Sequence, residues 1–122
     1  MFHSDIYGGC YYEFQYCRCA GSLAERMEVH EHWCPDSLYI DDDEVDAHGI
    51  PFLAHYLKYL EHPHSPDGSD QLCCFGINYY DRTQTAAIID RLEADHPPEC
   101  DVLLAWLRKA VLPCHGFYFL GL

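Results

Sequence analysis

Alternating aromatic and polar side chains near the start of the chain predict a β-strand. Over residues 10–19 the two-residue period of an extended backbone gives an aromatic face and a polar face, comprising Tyr12, Phe14 and Tyr16 on one side and Glu13, Gln15 and Cys17 on the other. Apolar stretches at residues 38–40 and 117–122 predict two further strands. Residues 71–80 form either a strand or the end of a loop. A small sheet is therefore expected.

Three segments after residue 50 carry apolar side chains at helical spacing. The first follows Pro51, the second begins with a capping arrangement at Asp81 and ends before Pro97, and the third follows Pro98. Their expected buried faces comprise Phe52, Leu53, Tyr56, Leu57 and Leu60 in the first, Ala86, Ile88, Ile89 and Leu92 in the second, and Leu103, Leu104, Leu107 and Val111 in the third.

Residues 22–34 fit two alternatives. Ser22 and Glu25 have the spacing of a capping box, which favours a helix that continues until Pro35 stops it. The competing interpretation is a strand over residues 26–34, with alternate side chains facing the interior. We prefer the helix because the segment contains good helix formers.

The order of these segments predicts an α+β fold, because strands and helices do not alternate as regular βαβ units. A chain of 122 residues has room for one hydrophobic core. We expect residues 1–122 to form a single small domain, with three to four helices packed on a small, mainly antiparallel sheet.

Acidic side chains outnumber basic ones by 20 to 7, which gives a formal net charge of −13. Such a charge repels nucleic acid and anionic membrane surfaces and attracts a basic protein surface. No apolar run approaches the roughly 18 residues that a membrane span requires. The negative charge is concentrated in residues 41–46, where five of six positions are acidic.

Eight cysteines would suggest a disulfide framework in a secreted chain. Residues 1–10 have neither the basic region nor the apolar region of a signal peptide. We therefore expect a cytoplasmic protein with reduced thiols.

Histidine and cysteine pairs near residue 30 suggest a zinc site, since zinc takes thiolate and imidazole ligands that are close in sequence. In the strand interpretation, a hairpin would bring the candidate ligands together on one surface. In the helix interpretation only two of them share a face. The candidates are Cys17, Cys19, His30, His32 and Cys34.

Catalytic motifs are missing from the sequence. It contains no nucleophile elbow, phosphate-binding loop or dinucleotide-binding glycine pattern, and the negative charge keeps thiols protonated. An EF-hand beginning at Asp42 fails, because Ala47 replaces the glycine of the sharp turn and Leu53 replaces the last ligand. We assign no catalytic residue.

These patterns lead to the hypothesis of a non-enzymatic acidic module that binds a basic protein surface. In size, acidity and aromatic content the chain is similar to cytosolic inhibitors, such as immunity proteins that neutralise basic bacterial toxins, and to acidic phage inhibitors. The alternative is a small zinc-stabilised domain. The expected partner-binding residues are Trp33, Tyr39, Asp41, Asp42, Asp43, Glu44 and Asp46.

Overall fold

A five-stranded antiparallel sheet forms the centre of the structure, a computed structural model that describes residues 2–3, 11–28 and 34–121. In spatial order the strands are β1, β3, β2, β5 and β4, so strands from both ends of the chain meet in one sheet. Their bounds are Phe2–His3 for β1, Tyr11–Tyr16 for β2, Leu38–Asp41 for β3, Ile77–Tyr80 for β4 and Phe117–Leu120 for β5.

Three α-helices accompany the sheet within these ranges: α1 (Leu23–Arg26), α2 (Arg82–Asp95) and α3 (Cys100–Val111). The capping boxes expected at Ser22 and Asp81 both form, with the serine and aspartate side chains accepting from the backbone N–H of the third helical residue. The α+β class is confirmed in this coarse sense, with a five-stranded antiparallel sheet and about three helices.

The segment after Pro51 differs from the helix predicted for it. It forms two short 3₁₀ helices, Phe52–His55 and Leu57–Tyr59, separated by Tyr56. The buried positions within residues 52–60 were predicted in part, since Leu53, Tyr56 and Leu60 are buried. The 3₁₀ turns suit a short segment whose two tyrosines both reach into the core.

The helix predicted for residues 22–34 is shorter than expected. It ends at Arg26, with Met27 as its last capping residue. Residues 29–33 lie outside the described part of the chain, so the choice between helix and strand there stays open.

The main hydrophobic core lies between one face of the sheet and the pair α2 and α3. The aromatic face of β2 points into it as the alternation predicted, and Tyr16 stacks on Trp106 with ring centroids 3.9 Å apart. Phe14 is the centre of this packing, since its ring contacts the rings of Phe2, Trp106, Phe117 and Phe119.

The opposite face of the sheet is buried as well. Residues 17–27 supply Cys17, Cys19 and Met27, which pack with Tyr79 and Tyr118. Because both faces of β2 are covered, its polar side chains also lie in the interior, and Glu13 has no exposed surface.

No helix within the described ranges has both the length and the apolar composition that crossing a bilayer requires.

Replacing Phe14 by alanine should lower the free energy of unfolding by about 3–5 kcal/mol, because the deletion leaves a cavity between sheet and helices. The exposed Val102 of α3 is the control, and Val102→Ala should change the stability by less than about 0.5 kcal/mol. Denaturant unfolding measures both. Equal effects of the two substitutions would contradict this core.

Candidate functional site

The acidic loop, residues 41–46, begins with Asp41, the last residue of β3. Asp42 and Asp43 are exposed, whereas Asp41, Glu44 and Asp46 are half-buried. The backbone N–H of Asp43 donates to Oδ1 of Asp41 over 2.8 Å, which holds the first turn. The loop thus presents two carboxylates to solvent from a locally ordered backbone.

Histidines compensate two of the carboxylates in this loop. Nε2 of His3 lies 3.3 Å from Oε2 of Glu44, and Nε2 of His55 lies 2.9 Å from Oδ2 of Asp46. An imidazole compensates a carboxylate fully only when it is protonated.

Arginine and lysine form their ion pairs elsewhere in the described ranges, with Asp36, Glu93 and Asp95. None of those three pairs involves the acidic loop. The exposed side chains of Asp42 and Asp43 contribute formal negative charge at the surface of this loop.

Two aliphatic side chains are exposed beside these carboxylates. Val45 is 48% exposed and Ile50 is 44% exposed. The backbone holds both in place, because Val45 pairs with Pro51 and the N–H of Asp46 donates to the carbonyl of Ile50 over 2.8 Å. Carboxylates and methyl groups thus occupy one short, closed segment of surface, residues 41–51.

Asp46 organises this segment. Its Oδ1 accepts from the backbone N–H of Ile50 at 3.0 Å and of His48 at 2.7 Å, and its Oδ2 contacts His55. These hydrogen bonds, that of Ile50 first, lower the pKa of Asp46 below its ordinary value of 3.8.

One of the two expected aromatic anchors, Tyr39, is not exposed at this surface. Tyr39 is only 1% exposed, because its side chain lies on the covered second face of the sheet and its hydroxyl donates to the carbonyl of Cys34 over 2.9 Å. Burial and the charge of Glu13 raise the pKa of Tyr39 to about 12. The proposal of Tyr39 as an exposed anchor is corrected accordingly. Trp33 lies outside the described residues.

The predicted zinc ligands are described only in part. His30 and His32 lie outside the described ranges. Sγ of Cys17 lies 3.2 Å from the Tyr118 hydroxyl, whereas Sγ of Cys34 accepts from Nε2 of Gln15 over 3.2 Å. Sγ of Cys19 accepts from the backbone N–H of Gly21 over 3.4 Å. None of these three contacts joins two thiols, and a zinc site here stays a prediction.

A buried polar cluster around Glu13 escaped the sequence analysis. Its Oε2 accepts from the Ser37 hydroxyl at 2.6 Å, from Nε2 of Gln15 at 3.1 Å and from the backbone N–H of Cys34 at 3.3 Å. Burying a carboxylate requires such donors, and here they attach residues 34–37 to the sheet. The cluster is structural, and it fixes the segment that leads into β3 and the acidic loop.

A second group that the sequence analysis missed lies between α2 and α3. One ligand atom from each of His96, Cys100 and Asp101 lies within 4.8 Å of the other two. We call these residues the histidine–cysteine–aspartate cluster. The sequence signal was weak, because one histidine and one cysteine separated by two prolines and Glu99 do not form one of the usual paired zinc motifs.

The thiol in this cluster is not an activated nucleophile. Cys100 is fully buried, and burial, assisted by the charge of Asp101, raises the pKa of its thiol. A nucleophilic cysteine requires the opposite shift, toward the thiolate.

The hydrogen bonds of Asp46 predict an acid-labile segment. Because the pKa of Asp46 is lowered on folding, its contribution to stability is complete above pH 3.8 and is lost as the pH falls through the folded-state pKa. Carboxyl ¹³C NMR should give a midpoint below 3.8, and the amide signals of His48 and Ile50 should shift with that midpoint. In the His55→Gln variant the pKa of Asp46 should stay below its ordinary value, because the hydrogen bond from the backbone N–H of Ile50 is the largest cause of the lowered pKa. A midpoint at or above 3.8 would contradict the assignment.

Comparison with known proteins does not add to this picture. No protein-family model, no curated protein and no solved structure matches the chain. The function is therefore inferred from the acidic loop and the histidine–cysteine–aspartate cluster themselves.

Proposed function

We propose that the chain is a non-enzymatic interaction module whose acidic loop binds a basic protein surface. The observation that carries this proposal is the exposure of Val45 and Ile50 in the same closed segment as the exposed carboxylates of Asp42 and Asp43. A partner could cover these methyl groups and carboxylates in one contact.

The two kinds of side chain would contribute differently to binding. Carboxylates attract a cationic partner over long range and raise the association rate, but exposed charge pairs add little affinity. The methyl groups of Val45 and Ile50 would supply affinity through buried apolar area at the centre of the contact. With Tyr39 buried, these aliphatic side chains take the role first expected of an aromatic anchor.

An ordered loop favours such a contact. The segment from Asp41 to Pro51 is closed by backbone pairing and by the hydrogen bonds of Asp46, so little conformational entropy would be lost on binding.

The proposal also includes a type of function and a cellular location. An inhibitor or immunity-type function would match an acidic surface that covers a basic toxin, and the charge of −13 supports a cationic target. A cytoplasmic location is supported by the seven free cysteines among the described residues, which suit a reducing compartment.

Neutralising Asp42 and Asp43 together as asparagine should weaken binding of a lysine- and arginine-rich peptide that also carries leucines. The expected loss is about two- to thirtyfold, since each of the two exposed charge pairs contributes roughly 0.2–1 kcal/mol. The salt dependence of binding should flatten as well. NMR titration should show the largest shifts in residues 41–51.

The charge-matched control is Glu61→Gln with Asp90→Asn, two exposed carboxylates on other elements. This control should keep most of the affinity. Replacing Val45 and Ile50 by serine should weaken binding without changing its salt dependence. Equal losses for both neutralised pairs, or shifts spread evenly over the domain, would show that net charge alone attracts the peptide.

A further inference from the structure

Three different metal-binding groups meet where α2 ends and α3 begins. His96 is the C-terminal capping residue of α2, and Cys100 and Asp101 are the first two residues of α3. Imidazole nitrogen, thiolate sulfur and carboxylate oxygen are each ligands of zinc, and one such atom from each residue lies within 4.8 Å of the other two.

We propose that the histidine–cysteine–aspartate cluster binds one zinc ion, or a divalent transition metal of similar preference. This site goes beyond the proposed docking function and shares no residue with the acidic loop. A mixed set of nitrogen, sulfur and oxygen donors favours zinc over calcium or magnesium, which take oxygen ligands.

The spacing within the cluster suits a tetrahedral ion. Nε2 of His96 lies 3.3 Å from Oδ1 of Asp101. Two ligands about 2.0–2.1 Å from a zinc ion, at the tetrahedral angle, are about 3.3 Å apart. The histidine and aspartate are therefore already spaced like two ligands on one edge of a tetrahedron, and the Cys100 ligand atom lies within 4.8 Å of both.

The three proposed ligands differ in burial. Cys100 is fully buried, whereas the side chains of His96 and Asp101 are 64% and 82% exposed. The sulfur would be the inner ligand, and the imidazole and carboxylate would close over the ion from the solvent side. Three protein ligands leave a fourth position for water, as in zinc sites that exchange ligands.

The backbone around the cluster is held in place. His96 and Glu99 both have left-handed conformations, with φ of 48° and 61°, on either side of the rigid pair Pro97 and Pro98. The N–H of Cys100 donates to the carbonyl of Pro97 over 3.2 Å.

Two buried tyrosines within residues 52–59 form hydrogen bonds to the end of α2 and the connection between α2 and α3. The Tyr56 hydroxyl donates to the carbonyl of Pro98, and the Tyr59 hydroxyl donates to Oδ2 of Asp95 over 2.8 Å. The ligands are thus attached to a supported loop, which lowers the entropy lost when a metal binds.

An ordinary surface ion pair is the alternative explanation, and the chain contains a matched example. Nδ1 of His62 lies 3.2 Å from Oδ2 of Asp70, both side chains are exposed, and His62 also has a positive φ, 59°. Among the described residues this second pair is not part of any three-ligand group. His62 is therefore the proper control for His96.

The experiment titrates cobalt(II) and then zinc into the full chain, reduced and without a polyhistidine tag. The wild type should bind one cobalt ion, with the near-ultraviolet thiolate band and visible bands of a tetrahedral site, and zinc should displace it. His96→Asn and Asp101→Asn should each weaken binding by about tenfold or more, because loss of even an indirect metal contact costs roughly 10–100-fold. His62→Asn should bind like the wild type, since asparagine tolerates a positive φ equally at both positions.

Cys100→Ala should remove the thiolate band. If that variant fails to fold, His96→Asn and Asp101→Asn still decide the question, because both positions are exposed. Zinc should also raise the melting temperature of the wild type and of His62→Asn, but not of His96→Asn. Unchanged affinity in His96→Asn and Asp101→Asn, absence of stoichiometric binding, or a thiolate band that disappears only in Cys34→Ala would overturn the proposal. The last result would place the metal among residues 17–34.

Discussion

Burial of both faces of the central strand β2 is the constraint on which the rest of the structure depends. One face carries aromatic rings into the core beneath α2 and α3, and the other carries Glu13 and Gln15 under the segment that leads to β3. A buried carboxylate is costly unless hydrogen bonds replace its water, and Ser37, Gln15 and the backbone N–H of Cys34 supply them. The same bonds fix residues 34–37, so the position of β3, and of the acidic loop after it, follows from how Glu13 is satisfied.

Burial on both faces of the sheet also requires hydrogen-bond partners for the tyrosine hydroxyls. A buried tyrosine must donate its proton, and in this chain it repeatedly donates to a backbone carbonyl of another segment, as Tyr16 does to Trp106 of α3 and Tyr39 to Cys34. Burial raises the pKa of Tyr16 and Tyr59 to about 12, so these hydroxyls remain donors across the physiological range. The rings fill the core while the hydroxyls attach the connections to it. The high tyrosine content is therefore explained largely by the fold rather than by an exposed binding surface.

The sequence predicted features that depend on local patterns. Capping boxes at Ser22 and Asp81, the alternation in β2, and the terminal strand all follow from short-range chemistry, and the structure contains them. Other features depend on contacts between distant segments. The 3₁₀ turns at residues 52–59 have a helical apolar pattern, but the positions of two buried tyrosines decide their geometry.

The same limit applied to the candidate sites. Glu13 looked like the polar side of a half-exposed strand, because nothing local reveals that Cys34 and Ser37 contact it. Tyr39 looked like an anchor from its place beside the acidic residues, although alternation alone could not tell which face of β3 was covered. His96 and Cys100 meet only through the left-handed turns that flank Pro97 and Pro98. The acidic residues of the loop were visible in the sequence, whereas the exposure of Val45 and Ile50 could be seen only in the structure.

The 3₁₀ segment from Phe52 to Tyr59 physically connects the two candidate sites. His55 contacts Asp46 of the acidic loop, whereas Tyr56 and Tyr59 support the connection that carries His96 and Cys100. Continuity of contacts is not evidence of coupling, which requires two states that both sites bias. It does mean that a substitution within this segment would disturb both sites together. One site can therefore be tested without the other only by substituting side chains outside this segment. Asp42 and Asp43 on one side, and His96 and Asp101 on the other, are exposed enough to change charge or ligand identity without loss of core packing.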